Sequence, residues 1–101
     1  MSSVEAAYPA KVVLMLPVKH PERLARFVEK CLIDGVELIA VVGDGCVEIE
    51  DRIDDLIVGD GSDLERFITT SSHPNEPLAD ALNMAEVWFT DGENRVELVS
   101  L

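Results

Sequence analysis

The residues best equipped for chemistry lie in two short stretches, Gly43-Asp44-Gly45-Cys46 and Thr69-Thr70-Ser71-Ser72-His73-Pro74-Asn75-Glu76. The first reads as a tight turn that delivers a thiol into the opening turn of a helix. Unpaired amides there favour a thiolate and can hold an oxyanion or a phosphate. His73 is the candidate base for a Cys46 nucleophile, with Asp44 or Glu76 to orient it. Around this pair, Gly43, Asp44, Gly45, Thr70, Ser71, Ser72 and Glu76 are the candidate ligand-binding residues. Each also has a plainer use. Cys46 falls on the apolar stripe of its helix, and cysteine is among the most buried residue types. Asp44, Glu48 and Glu50 oppose a thiolate nearby. The hydroxyl-rich stretch is equally suited to capping the next helix.

Other chemistries lack their residues. Gly43-x-Gly45 has neither the lysine and spacing of a Walker loop nor the third glycine of a dinucleotide fingerprint. No carboxylate pair ends the first apolar run, so the acidic pocket of a phosphoacceptor domain is missing. His20 and His73 are too far apart for a local metal motif, and CxxC and HExxH are both absent. Asp60-Gly61-Ser62-Asp63-Leu64-Glu65 does not follow calcium-loop spacing and reads as a turn. No metal and no cofactor are expected. Without a complete catalytic set, an enzyme remains undecided and a binding role is preferred.

The elements that must position these residues follow from periodicity. Val12–Val18 is a continuous apolar run of strand length, suited to a sheet covered on both faces. Pro21 opens a first helix, whose stripe is Leu24, Phe27, Val28, Cys31 and Leu32, closed by Gly35. Val36–Val42 is a second buried strand. A second helix spans Cys46–Val58, with Cys46, Ile49, Ile53, Leu56 and Ile57 on one face. A weaker third strand covers Arg66–Ser71. A third helix follows Pro77 with Leu78, Leu82, Ala85, Trp88 and Phe89, and Asp91-Gly92 stops it. Arg95–Ser100 is a last strand, with a Val87–Phe89 to Val96–Val99 hairpin as the alternative. The pattern predicts an α/β three-layer sandwich: a minimal doubly wound, mostly parallel four-stranded sheet with three helices. Residues 1–10 form an N-terminal arm and 11–101 a single domain. Such sheets bind ligands at the carboxyl ends of their strands, which selects Val18–Pro21, Gly43–Cys46 and Ser71–Asn75.

Charge narrows the partners. The chain has 101 residues, 8 basic and 20 acidic, for a net charge of −12. Residues 1–43 are neutral, and residues 44–101 carry the whole imbalance. From Asp44 to Glu65 there are nine carboxylates against Arg52 alone. A nucleic-acid backbone or an anionic membrane would be repelled, so neither is an expected partner. The acidic stretch is either a solvating face or a docking surface for a basic protein. The opening residues have no basic n-region and no long apolar stretch, so no secretory leader is expected, and seven apolar residues are too few for a membrane span. Two cysteines make no disulfide framework, so a cytoplasmic protein is expected. The last strand, at a sheet edge, gives a tendency to homodimerise.

Gly43-Asp44-Gly45-Cys46, the acidic helix with Asp51 and Asp54, Phe67-Ile68-Thr69-Thr70 and His73-Pro74-Asn75-Glu76 together resemble a family of small bacterial proteins, a domain of unknown function. The likeness covers about residues 10–101. The family pattern has a Gly-x-Asp-Cys turn and a Thr-Thr-Trp-His-x-x-Glu stretch. Here Gly45 replaces the aspartate, and Ser71-Ser72 stand in place of the single tryptophan. The resemblance implies an α/β fold and points to Cys46 and His73. It brings no activity. Two functions are carried forward: a small acidic binding or regulatory module, or a small enzyme or ligand-binding protein built on the strand exits.

Overall fold

A computed structural model of the chain describes residues 7–62, 66–88, 90 and 94–101. Along them run β1 (Lys11–Met15), α1 (Arg23–Asp34), β2 (Leu38–Val42), α2 (Cys46–Val58), β3 (Thr69–His73), α3 (Leu78–Val87) and β4 (Val96–Ser100). The strands lie in the order β3-β2-β1-β4, and every pairing is parallel. The sheet is therefore wholly parallel, with an α/β architecture as the alternating pattern implies. The hairpin alternative fails, because Val87 ends α3 and β4 pairs in parallel with β1. Phe89 and the Asp91-Gly92 stop lie outside the described residues.

The two central strands explain their own sequences. Val12, Val13, Leu14 and all of β2 are buried, since each has a strand on both sides and helices on both faces. Val12, Leu14, Ile39 and Val41 point into one core with Leu24, Phe27, Val28 and Cys31 of α1 and Cys46, Ile53 and Ile57 of α2. Val13, Leu38, Ala40 and Val42 point the other way, against Ala81 and Ala85 of α3. Three layers result, with two helices on one face and one on the other. The α3 contact is made by small residues, and Leu82 and Trp88 only flank it. Bulky side chains at Ala81 or Ala85 would push the helix off the sheet.

Helix ends show where remote side chains are required. None of the helices carries a basic residue in its last turn. Gly35, left-handed at φ 80°, donates its amide to the Cys31 carbonyl and closes α1. The other two ends are met by cations from elsewhere in the chain. Lys11 of β1, fully buried, donates from Nζ to the Ala85 carbonyl at 2.6 Å, the Glu86 carbonyl at 3.1 Å and the Asn94 side chain. Arg66 donates to the Ile57 and Leu56 carbonyls of α2 at 2.8 and 2.9 Å and also binds Glu29. Each cation satisfies orphan carbonyls at the negative end of a helix.

At the amino end, Tyr8 stacks edge-on against Phe27 with ring centroids 5.7 Å apart, and Lys30 lies 4.7 Å over the Tyr8 ring. The Tyr8 amide donates to Asp34, and the Ala10 carbonyl accepts from Glu37 and Leu38. Residues 7–10 thus pack on the domain. The Lys30 ammonium, and then the Tyr8 amide, hold the Asp34 carboxyl below the usual carboxylate range.

Candidate functional site

The two chemistry-bearing stretches reach the same rim of the sheet but face different layers. In the β2–β3 ladder, Val42 is the partner of His73, and Gly43–Cys46 leaves β2 directly after Val42. Paired residues of neighbouring strands share a face. His73 therefore lies on the α3 face with Val42, while Cys46 is packed in the opposite core with Val41 and Ile53. Cys46 is 2% exposed. A Cys46–His73 nucleophile–base pair, the arrangement the sequence suggests, is not assembled. The physical reason is parity: β3 extends to His73, two residues beyond its expected end at Ser71, and this fixes the histidine to one face.

His73 has other partners. Ser71 Oγ lies 3.0 Å from His73 Nε2, and Glu76 Oε2 lies 3.1 Å from His73 Nδ1. A carboxylate only accepts, so Nδ1 carries a proton and donates to Glu76; in the neutral ring Nε2 is the acceptor, and the Ser71 hydroxyl donates to it. The local chain builds this relay. Ser71 and His73 are two residues apart on a strand and so project from the same side. The turn after β3, with Asn75 left-handed at φ 61° and the Glu76 amide donating to the His73 carbonyl, brings Glu76 back beside the ring. His73 is buried, Ser71 half-buried and Glu76 exposed, so the relay runs from the sheet to solvent. Thr70 and Ser72 point to the other face. Thr70 Oγ1 donates to Asp54 of α2 at 2.6 Å, which fastens the edge strand to that helix.

The Gly43–Cys46 turn forms part of a different feature. A shallow cavity of about 360 Å³ opens where the β1 exit meets α2, with Leu16, Pro17, Pro21, Asp44, Glu48 and Arg52 among its walls. Gly43 has φ 119°, and a Cβ there would meet Leu16 Cβ at 3.0 Å, so the close approach of the two strand exits requires glycine. Two of the three selected strand exits thus share a cavity, and the third contributes the relay on the opposite layer. No group of three or more metal-binding side chains occurs among the described residues.

The outer surface of α2 continues from that cavity. Glu48, Asp51 and Asp55 follow a spacing of three and four residues along one side of the helix, Asp44 lies in the turn before it, and all four are exposed. Exposed Val47 and Val58 border them. Elsewhere several cations are taken up internally: Lys11 on carbonyls, Lys30 on Asp34 and Arg66 on Glu29. Glu48, Asp51 and Asp55 of α2 face solvent, with exposed Arg52 as the basic side chain among them.

A family model described as a domain of unknown function, DUF7684, matches residues 1–100. The chain belongs to the DUF7684 family. Membership accords with the uncharacterised domain family that the motifs resemble. Comparison of this DUF7684 chain with curated proteins and with solved structures finds no match. No helix among its described residues is long and apolar enough to cross a membrane.

Two placements are not legible from sequence spacing alone, those of Ser71 and Lys11. Ser71 reads as one of several ligand-binding hydroxyls, although Ser-x-His on a strand is itself a signal that the two side chains meet. Lys11 sits alone before an apolar run, and only the tertiary position of the α3 end gives it a role.

Proposed function

We propose that this DUF7684 protein is a small acidic binding module of the bacterial cytoplasm, acting through protein–protein contacts made by the outer face of α2. The observation that carries this reading is the exposed row Asp44, Glu48, Asp51 and Asp55, bordered by Val47 and Val58. A carboxylate row steers a basic partner, and exposed valines give the docked state some apolar area. Both cysteines are free and buried, which supports a reducing compartment. The test is retention of native partners on the immobilised protein at low salt and at about 0.5 M salt, where screening is nearly complete within a few ångströms. The expected partner is basic, leaves at high salt and protects α2 from hydrogen exchange. A partner that survives high salt, or protects another face, contradicts the reading.

Self-association through β4 is a second reading. β4 is one edge of the sheet, and Leu98 on it is 44% exposed. Light scattering at about 100 μM should detect a dimer of the 11.1 kDa chain; a monomer alone contradicts it.

A further inference from the structure

We infer that Ser71, activated by His73 and Glu76, is a nucleophile toward small activated carboxylic esters, and that the outward amide of Ser72 receives the developing oxyanion.

The relay provides the first half of this inference. A hydroxyl donating to a neutral imidazole, whose other nitrogen donates to a carboxylate, is the arrangement that turns serine into a nucleophile. The distances, 3.0 Å for Ser71 to His73 and 3.1 Å for His73 to Glu76, fall within hydrogen-bond reach. All three groups come from one short stretch of backbone, so their alignment does not depend on a mobile domain contact.

The edge position provides the second half. The Thr69 amide donates to the Glu37 carbonyl of the neighbouring chain segment, so it points toward β2. Amides alternate direction along a parallel strand, and those of Ser71 and His73 therefore also point toward β2. The Ser72 amide points the opposite way. On that side β3 is the edge of the sheet, with no further strand among the described residues. The residue after the proposed nucleophile thus directs its N–H outward at the sheet edge, with no strand partner among the described residues, and backbone amides of this kind stabilise acyl-transfer intermediates. Helix α3 packs on β1, β2 and β4, and Ser71 on the edge strand is half-buried.

The chemistry balances without an added oxidant or reductant. Ser71 Oγ forms a bond to the ester carbonyl carbon, and its proton passes to His73 Nε2. The bond from carbon to the alkoxy oxygen breaks, and that oxygen leaves as an alcohol with the proton from His73. Water then attacks the acyl carbon, gives a proton to Nε2, and the acid departs as Ser71 recovers its proton. The proposal is independent of the acidic face of α2.

The test uses the full chain with an alkyl fluorophosphonate, which forms a stable serine ester as fluoride leaves, read by intact mass and peptide mapping. The expected result is one adduct, on Ser71, absent in Ser71→Ala and unchanged in Cys46→Ala. Glu76→Gln, on an exposed side chain, should label at least tenfold more slowly. His73→Gln should label about a hundredfold more slowly, the scale of a general base. Hydrolysis of p-nitrophenyl acetate should fall in the same order. Circular dichroism checks that each variant is folded; if His73→Gln is not, Glu76→Gln decides. No adduct, an adduct on another serine, or equal labelling in folded Glu76→Gln overturns the proposal.

Discussion

Ser71 and His73 meet side chain to side chain on one strand, Oγ to Nε2 at 3.0 Å, and both project from the face opposite the core that holds Cys46. The histidine belongs to the α3 face and the thiol to the α1–α2 core. Proximity along the sheet rim is not enough to form a site when two residues leave it on opposite sides.

Both thiols should be inert in the native protein. Cys31 is fully buried and Cys46 is 2% exposed. Iodoacetamide at neutral pH is expected to label neither cysteine in the folded chain and both after denaturation. Prompt labelling of Cys46 in the folded state would contradict its place in the core.

Burial pushes the Cys31 thiol from 9.0 up to about 12; Asp34 adds to the rise and Lys30 opposes it. In the unfolded chain the thiol loses its proton above about pH 9, whereas the folded protein keeps it. Between these values the native state binds more protons, so stability falls as pH rises. The contribution is at most about 1.4 kcal/mol per pH unit. Urea unfolding of the native chain and Cys31→Val from about pH 8 to about pH 11 should show the steeper alkaline decline in the native chain. Parallel declines would contradict the assignment.

Lys11→Met should destabilise the fold by about 2–3 kcal/mol, since it strands the α3 carbonyls that the ammonium now satisfies. Urea unfolding measures this loss, and hydrogen exchange should increase first at the carboxyl end of α3. A neutral substitution would mean that those carbonyls find other partners.

The fold was legible because its two central strands are apolar on both faces and its helices carry regular stripes closed by Gly35 and Gly59. β3 was the hard element. Its Thr-Thr-Ser-Ser-His sequence has no apolar alternation, because an edge strand tied to α2 through Thr70 and Asp54 is held by hydrogen bonds as well as by burial. The sequence pattern ends it at Ser71, two residues before its end at His73, and so puts His73 in a loop instead of on a strand face. Ser71, His73 and Glu76 all stand among the sequence candidates, but their pairing depends on the side from which each projects. Lys11 was invisible for a related reason: its partners lie more than 70 residues away.

Thr70→Val removes the hydroxyl that binds Asp54 while keeping a β-branched side chain on the strand. It should cost about 1 kcal/mol in urea unfolding and raise hydrogen exchange along β3 relative to β1. Unchanged exchange would show that the link does not hold the edge.

The binding proposal is tested most directly by reversing equal charge on two helices. Asp51→Lys with Asp55→Lys alters the outer face of α2, and Asp80→Lys with Glu86→Lys makes the same charge change at exposed positions on α3. Affinity for the salt-sensitive partner should drop at least about tenfold in the α2 pair, a loss of roughly 1.4 kcal/mol, and stay near the native value in the α3 pair. Equal loss in both pairs would mean that only bulk charge matters, and no loss in the α2 pair would remove that face as the contact surface.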